Sequence, residues 1–234
     1  MPTSDTQDKK PAAAGANQIA YTRGEELANI ITHLVGAVLA ATGGPFALVR
    51  VALSGLGPLA ITAVALYVFA LVEMYVMSTL YHAMPVGYRR RAVFRRFDHC
   101  SIALLIAGTY APYMLIGLVQ MGGSAAVWGV VIASVVLAMA ILVIVFNAVN
   151  VARFRVFTMI AYVIMGWCCV IRIDLLLKMP GHTFLFLIVG GAVYTIGILF
   201  YRIKKIPWNH AIWHLFVMAG SALQFVSIYV YLLG

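Results

Sequence analysis

Three histidines, an aspartate and a serine sit at the ends of hydrophobic segments that are far apart in this chain. His82 closes one segment, in Ser78-Thr-Leu-Tyr-His82, and Asp98 opens the next, in Phe-Asp98-His99-Cys. His210 and His214 open the last, in Asn209-His210-Ala-Ile-Trp-His214. Residues four apart share a helix face, so Ser78 points with His82 and His210 with His214. A histidine pair at i and i+4 grips one metal ion, and a third imidazole from a neighbouring helix leaves one tetrahedral position open. Three protein ligands plus water is the pattern of a catalytic rather than a structural zinc. Zinc lowers the pKa of its bound water to about 7, which yields a hydroxide nucleophile at neutral pH. The metal set is therefore His82, His210 and His214, with Zn2+ as the expected cofactor. Asp98 and Ser78 are the expected catalytic pair. The carboxylate would orient the water and take its proton, and the hydroxyl would hydrogen-bond a ligand or a developing oxyanion. The bland alternative is interfacial histidines satisfied by headgroups and water. Against it stands the shared depth of four such groups.

That shared depth follows from the elements that carry them. The chain is 64% hydrophobic and only 10% charged, whereas soluble domains carry about a quarter charged residues. A membrane span needs roughly 20 mostly apolar residues, and seven stretches qualify, at about 27–49, 58–82, 99–120, 125–147, 156–178, 183–201 and 209–233. The runs are continuously apolar rather than alternating, which argues against a β-barrel. The expected fold is an all-α membrane protein, a seven-transmembrane helix bundle over 25–234 preceded by a polar tail over 1–24. That tail has no apolar core of the kind found in a cleavable signal peptide. Cys100, Cys168 and Cys169 lack paired spacing and imply no disulfide framework.

The net charge of +9 is distributed by topology and does not point to nucleic acid. Thirteen of the sixteen Lys and Arg residues fall in the N-terminal tail and in the second–third, fourth–fifth and sixth–seventh loops. Positive residues stay cytoplasmic, so the N-terminus is expected inside and the C-terminus outside, in the bacterial cytoplasmic (inner) membrane. His82, Asp98, His210 and His214 then all lie at the cytoplasmic headgroup level. The segment holding Arg89, Arg90, Arg91, Arg95 and Arg96 would lie as a loop against anionic lipid.

Beyond the histidines, Val217, Ser221 and Gln224 continue the face of His214, which belongs toward the bundle interior. In the first helix Glu26, Asn29 and His33 share a face. With Tyr81 they are candidates for an outer shell around the metal, against the simpler reading of Glu25 and Glu26 as helix-dipole partners. His99 lies about 100° around the helix from Asp98 and is expected to face elsewhere. His182 falls at the opposite membrane face. Glu73 lies deep in the second span, where a carboxylate must be protonated, paired or lining a cavity. Arg172 and Asp174 are expected to snorkel at the outer face.

Ser78-x-x-x-His82, Asp98 near the start of the next helix, and His210-x-x-x-His214 on the seventh resemble the pattern of the progestin and adipoQ receptor family. The N-terminal Glu25-Glu26-x-x-Asn29-x-x-Thr-His33, on a short chain, looks like its bacterial branch, the hemolysin III proteins. The resemblance covers about 23–233 and rests on the order and helix placement of the motifs. It implies zinc at His82, His210 and His214, with Asp98 near a zinc-bound water and Ser78 beside it. It also brings two activities: hydrolysis of a lipid amide, as associated with the adiponectin receptors, and the pore formation or lipid homeostasis linked to bacterial members. The leading expectation is a zinc-dependent hydrolase of lipid amide or ester bonds, its substrate entering from the inner leaflet. A pore-forming, cytolytic membrane protein and a non-catalytic lipid sensor are the alternatives. A retinal protein is disfavoured because 209–233 contains no lysine.

Overall fold

The computed structural model describes residues 21–203 and 205–234. The expected tail over 1–24 therefore lies outside the described residues, except for Tyr21–Gly24. Among the described residues every regular element is helical. The long helices are α1 (Arg23–Leu53), α2 (Pro58–Ala83), α3 (Arg89–Pro112), α4 (Gly123–Trp167), α6 (Thr183–Arg202) and α7 (Asn209–Val226), with a single turn, α5 (Ile173–Leu176), after α4. A π-turn (Tyr113–Leu118) extends α3, and another (Ser227–Leu232) extends α7. Six of these segments are long and apolar enough to cross a membrane.

The fourth, Gly123–Leu176, runs 54 residues, about 81 Å if straight, against a hydrocarbon core of about 30 Å. It is not straight. Asn150 has φ −161° and ψ 98°, and its Oδ1 accepts from the Arg153 amide at 3.0 Å, so it ends one helix and caps the next. Asn147 Nδ2 donates to the Tyr162 hydroxyl at 2.9 Å, two groups that a straight helix would hold roughly 22 Å apart. The Phe146 ring also meets Phe154 and Phe157, at 4.6 and 4.9 Å between centroids. The chain folds back at Asn150, and the stretches expected at 125–147 and 156–178 are the two arms of this one element.

α3 corrects a second boundary. It begins at Arg89 rather than near Asp98, so the arginine-rich segment is its first turns and not a loop. Asp98 lies about two and a half turns inside it. Along the sequence α1 packs on α2, α2 on α3, and α3 on α4. α7 returns to pack on both α6 and α1. Large apolar side chains remain outside, Leu39 and Phe46 at 62% exposure among them, as expected of surfaces that face lipid rather than water.

Close helix contact depends on small residues. A Cβ added at Gly108 would lie 2.6 Å from the Ala70 Cβ and 3.1 Å from the Leu66 carbonyl oxygen. Neither neighbour is a flexible side-chain tip, so α2 and α3 would have to separate. Gly108→Leu is expected to destabilise the bundle by about 1–3 kcal/mol or more, read as a lower melting temperature in detergent. An unchanged melting temperature would show that the α2–α3 seam yields freely.

Candidate metal centre

The α2 terminus, the first turn of α7 and the first turns of α1 meet at one end of the bundle. Each is held by local chemistry. Thr22 and Glu25 form a reciprocal capping box that starts α1. Asn209, the first residue of α7, donates from Nδ2 to the Tyr201 carbonyl at 3.1 Å, which ties the α6 terminus to the residue beside His210. Trp208 takes the left-handed conformation (φ 60°) before α7, and its indole packs where a Cβ on Gly24 would sit.

His82, His210 and His214 are buried, and each offers a ring nitrogen within 4.8 Å of the others. His82 Nε2 lies 3.0 Å from His210 Nε2. Two imidazole lone pairs cannot face each other at that distance without a proton or a cation between them. Zinc–nitrogen bonds run about 2.0–2.1 Å, so one ion can reach this set after small side-chain adjustments. The three histidines could therefore form a metal site.

The outer ring nitrogens are held in the matching tautomer. His82 Nδ1 lies 2.7 Å from Glu26 Oε2. A carboxylate only accepts, so the proton sits on Nδ1 and Nε2 keeps its lone pair. The Thr32 hydroxyl donates to the Ala28 carbonyl at 2.8 Å and so accepts from His214 Nδ1 at 3.1 Å. Both imidazoles therefore turn Nε2 away from an acceptor on α1, an arrangement typical of metal-ligating histidines.

Of the outer-shell candidates, Glu26 contacts His82 as described, and Asn29 Nδ2 approaches the same nitrogen at 3.4 Å. His33 stacks on His214 at 3.5 Å between centroids, and the Tyr81 ring lies 4.6 Å from that of His82. Both glutamates stand in the first turn of α1, as the dipole reading has it; Glu25 caps the helix, and Glu26 also engages His82 and Arg91. Asp98 and Ser78 are buried and line a cavity of about 180 Å3 together with His210 and His214. His99 lines the same cavity, with Nδ1 3.8 Å from Asp98 Oδ2, which corrects its expected placement elsewhere. The cavity continues along α3, the second arm of α4, α6 and α7 as far as Gln224, about 15 Å of helix beyond His214. Its walls are mostly apolar, with Ile102, Leu105, Val163 and Ile198 among them.

Other groups stand apart. His182 packs on Tyr231 away from the cluster. Arg172 pairs with Asp174 at 2.8 Å and lies over Trp128. Glu73 is half-buried, with Oε2 enclosed and without a hydrogen-bond partner.

Sequence reasoning missed three neighbours of the centre. Thr32 was visible as the residue before His33. Arg91 was hidden among exposed arginines yet is 1% exposed, and it donates to Glu26 Oε1 and to the Met84 carbonyl. Tyr21 stacks on His210 at 5.1 Å and covers the His82 ring at 5.9 Å. Burial raises its pKa above the usual tyrosine value, so the hydroxyl over the cluster stays protonated.

Comparison with known proteins adds relatives to this geometry. The Haemolysin-III related family matches residues 21–225. "Hemolysin-3" of Bacillus cereus is 36% identical over 210 residues, covering 89% of this chain and 92% of that protein. "Hemolysin-3 homolog" of Bacillus subtilis (strain 168) is 34% identical over 212 residues, covering 90% and 96%. The human "Monocyte to macrophage differentiation factor" is 28% identical over 175 residues, covering 71% of this chain and 69% of that protein.

Proposed function

For a chain that belongs to the Haemolysin-III related family, we propose a zinc-dependent hydrolase of lipid amide or ester bonds, acting in a multi-pass membrane protein. The single observation that carries this reading is one juxtaposition: three buried histidines that can share an ion, two of which, His210 and His214, line an apolar cavity that also holds a carboxylate and a hydroxyl. A structural zinc site is closed by its ligands and has no use for such a cavity.

In this reading His82, His210 and His214 hold the ion. When bound, zinc supplies Lewis acidity, polarising an acyl carbonyl and making a water nucleophile available near neutral pH. The rest is done by the chain's own groups. Asp98 takes the proton of the attacking water at its carboxylate and returns one to the leaving amine or alcohol. Ser78, whose Oγ is buried without a partner, donates to the carbonyl oxygen as charge develops there. The apolar cavity takes the acyl chain and excludes bulk water, which strengthens each of these contacts.

The fold-back at Asn150 lets the fourth segment cross twice, so the proposed topology is seven crossings. The distribution of basic residues supports an N-terminus in the cytoplasm and a C-terminus outside. That puts the centre near the inner leaflet of the cytoplasmic membrane, where a lipid can enter sideways. The proposed partners are membrane lipids, and the physiological role is membrane lipid homeostasis.

The reading is tested by adding the zinc-loaded protein to liposomes containing ceramide or a diacyl ester lipid and measuring released fatty acid. Release that a chelator stops and zinc restores is the expected result. No release above protein-free liposomes, across both lipid classes, would remove the hydrolase.

One observation favours a second reading, a conducting or cytolytic protein. The buried face of α7 stays polar below the histidines. Ser221 pairs with the Tyr194 hydroxyl at 2.7 Å, the Tyr113 hydroxyl donates to the Gln224 carbonyl at 3.4 Å, and Ser227 donates to the Thr183 carbonyl at 3.0 Å. Tyr67 OH and Gln224 Oε1 are enclosed without a protein partner, which suits buried water. Ion conductance of purified protein in liposomes that survives removal of the histidines would favour this reading over hydrolysis.

A further inference from the structure

We infer that Arg91 and Glu26 form a buried ion pair that positions His82 as a metal ligand, setting both its tautomer and its aim. The inference rests on the metal-site reading above and extends it to a charge relay reaching across three helices.

Arg91 is unlike the arginines around it. Arg89, Arg90 and Arg96 are exposed, whereas Arg91 is 1% exposed. Burying a guanidinium is costly unless it is paired and hydrogen-bonded. Here one terminal nitrogen donates to Glu26 Oε1 and the other to the Met84 carbonyl. The guanidinium carbon also lies 4.9 Å from the centre of the Tyr81 ring. Met84 is the residue that ends α2, two after His82. Arg91 therefore grips the end of the helix that carries the ligand and, through Glu26, the ring of the ligand itself.

Glu26 divides its two oxygens. Oε1 takes Arg91, and Oε2 takes His82 Nδ1 at 2.7 Å. A carboxylate with both oxygens engaged cannot rotate, so the plane of the His82 ring is defined from α1. Because Oε2 only accepts, Nδ1 keeps its proton and Nε2 presents its lone pair toward His210 Nε2, 3.0 Å away. A carboxylate acceptor on Nδ1 raises the donor strength of the imidazole toward a metal, and the Arg91 contact holds that carboxylate in place. Neither residue touches the space between the three histidines. They are positioning residues, acting through His82.

The test measures metal affinity by competition with a chelator in detergent-solubilised full-length protein, beside the melting temperature of the metal-free form. Glu26→Gln keeps an acceptor but removes the charge, and about a tenfold loss of zinc affinity is expected. Glu26→Leu removes both, with a loss of about 100-fold. Arg91→Met should match Glu26→Gln. Arg91→Lys, which keeps a charge on the carboxylate, should recover part of the loss. The double variant Glu26→Gln/Arg91→Met leaves no unpaired charge, so it guards against simple misfolding. It should retain the metal-free melting temperature while still binding zinc weakly.

A second readout follows the tautomer. 15N-labelled histidine in the metal-free protein should show His82 protonated at Nδ1 in wild type, and a mixture of both tautomers in Glu26→Leu. If wild type binds zinc and all five variants bind it equally well, the positioning role is overturned while the metal site stands. If the variants lose affinity only in proportion to a fall in metal-free stability, with the tautomer unchanged, the pair is merely a clamp and the inference fails. Wild type that binds no metal overturns both.

Discussion

With His214 replaced by alanine, the purified protein is expected to carry no zinc, where the wild type carries about one ion per chain. The same loss is expected for His82→Ala and His210→Ala. Each variant leaves two imidazoles, which must hold an ion with two positions open to water. His214 has the most to lose. It is 1% exposed, it is held at Nδ1 by Thr32, and His33 stacks against its face. His182→Ala, at the far end of α6, is the control and should retain full occupancy. Elemental analysis of detergent-purified protein decides the matter. Full zinc content in His214→Ala would remove this residue from the metal set, and metal-free wild type would return all three histidines to an interfacial role. The ion also binds the folded form in preference to the unfolded chain. Chelation of the wild type should therefore lower its melting temperature, and chelation of His214→Ala should not.

Asp98→Ala should separate chemistry from metal binding. The aspartate lines the cavity beside the histidines but is not among the three that can share an ion. Zinc content is therefore expected to stay near the wild-type value while lipid hydrolysis falls roughly 100- to 10,000-fold, the usual contribution of a positioned general base. Asp98→Asn keeps the shape and one acceptor oxygen but cannot take a proton, so it should be as inactive as the alanine variant. Ser78→Ala should show a smaller loss, because it removes one donor to the carbonyl oxygen and no proton acceptor. Fatty-acid release measured on zinc-saturated variants checks the ranking. Wild-type turnover in Asp98→Asn would end the assigned role of the carboxylate. Loss of zinc in the same variant would instead make Asp98 part of the metal's own coordination.

Much of the site was legible because membrane helices impose strong constraints. Polar side chains are excluded from the lipid face, so a Ser78/His82 pair and a His210/His214 pair each had one direction to point. The apolar runs fixed how deep each pair lies. Glu26, Asn29 and His33 declared their common face by spacing alone, and all three reach the histidines. Helix boundaries were less legible. Arg89–Arg96 looks like a solvated loop by composition, yet it forms the start of α3, because Arg91 finds buried acceptors in Glu26 and at the end of α2. No local pattern distinguishes Arg91 from Arg90, since the difference lies in partners 65 and 7 residues away. The sharp turn at Asn150 was expected only as a loop between two spans. In the structure it is a single extended residue in an otherwise helical run.

What the sequence by itself determined is the all-helical architecture, the end of the bundle at which the polar groups collect, and the three histidines able to share an ion. These follow from periodicity and from the cost of placing polar groups in lipid, both properties of each segment taken alone. Only the tertiary structure decided which nitrogen of each imidazole faces inward, which arginine is buried, and that Tyr21 covers the cluster. It also decided that an apolar cavity joins His214 to Gln224. Those features depend on pairings between α1, α2, α3 and α7, where one acceptor such as Glu26 chooses between donors that lie far apart in the chain. Such a choice is made by distance and burial after the helices have packed, and no single segment encodes it.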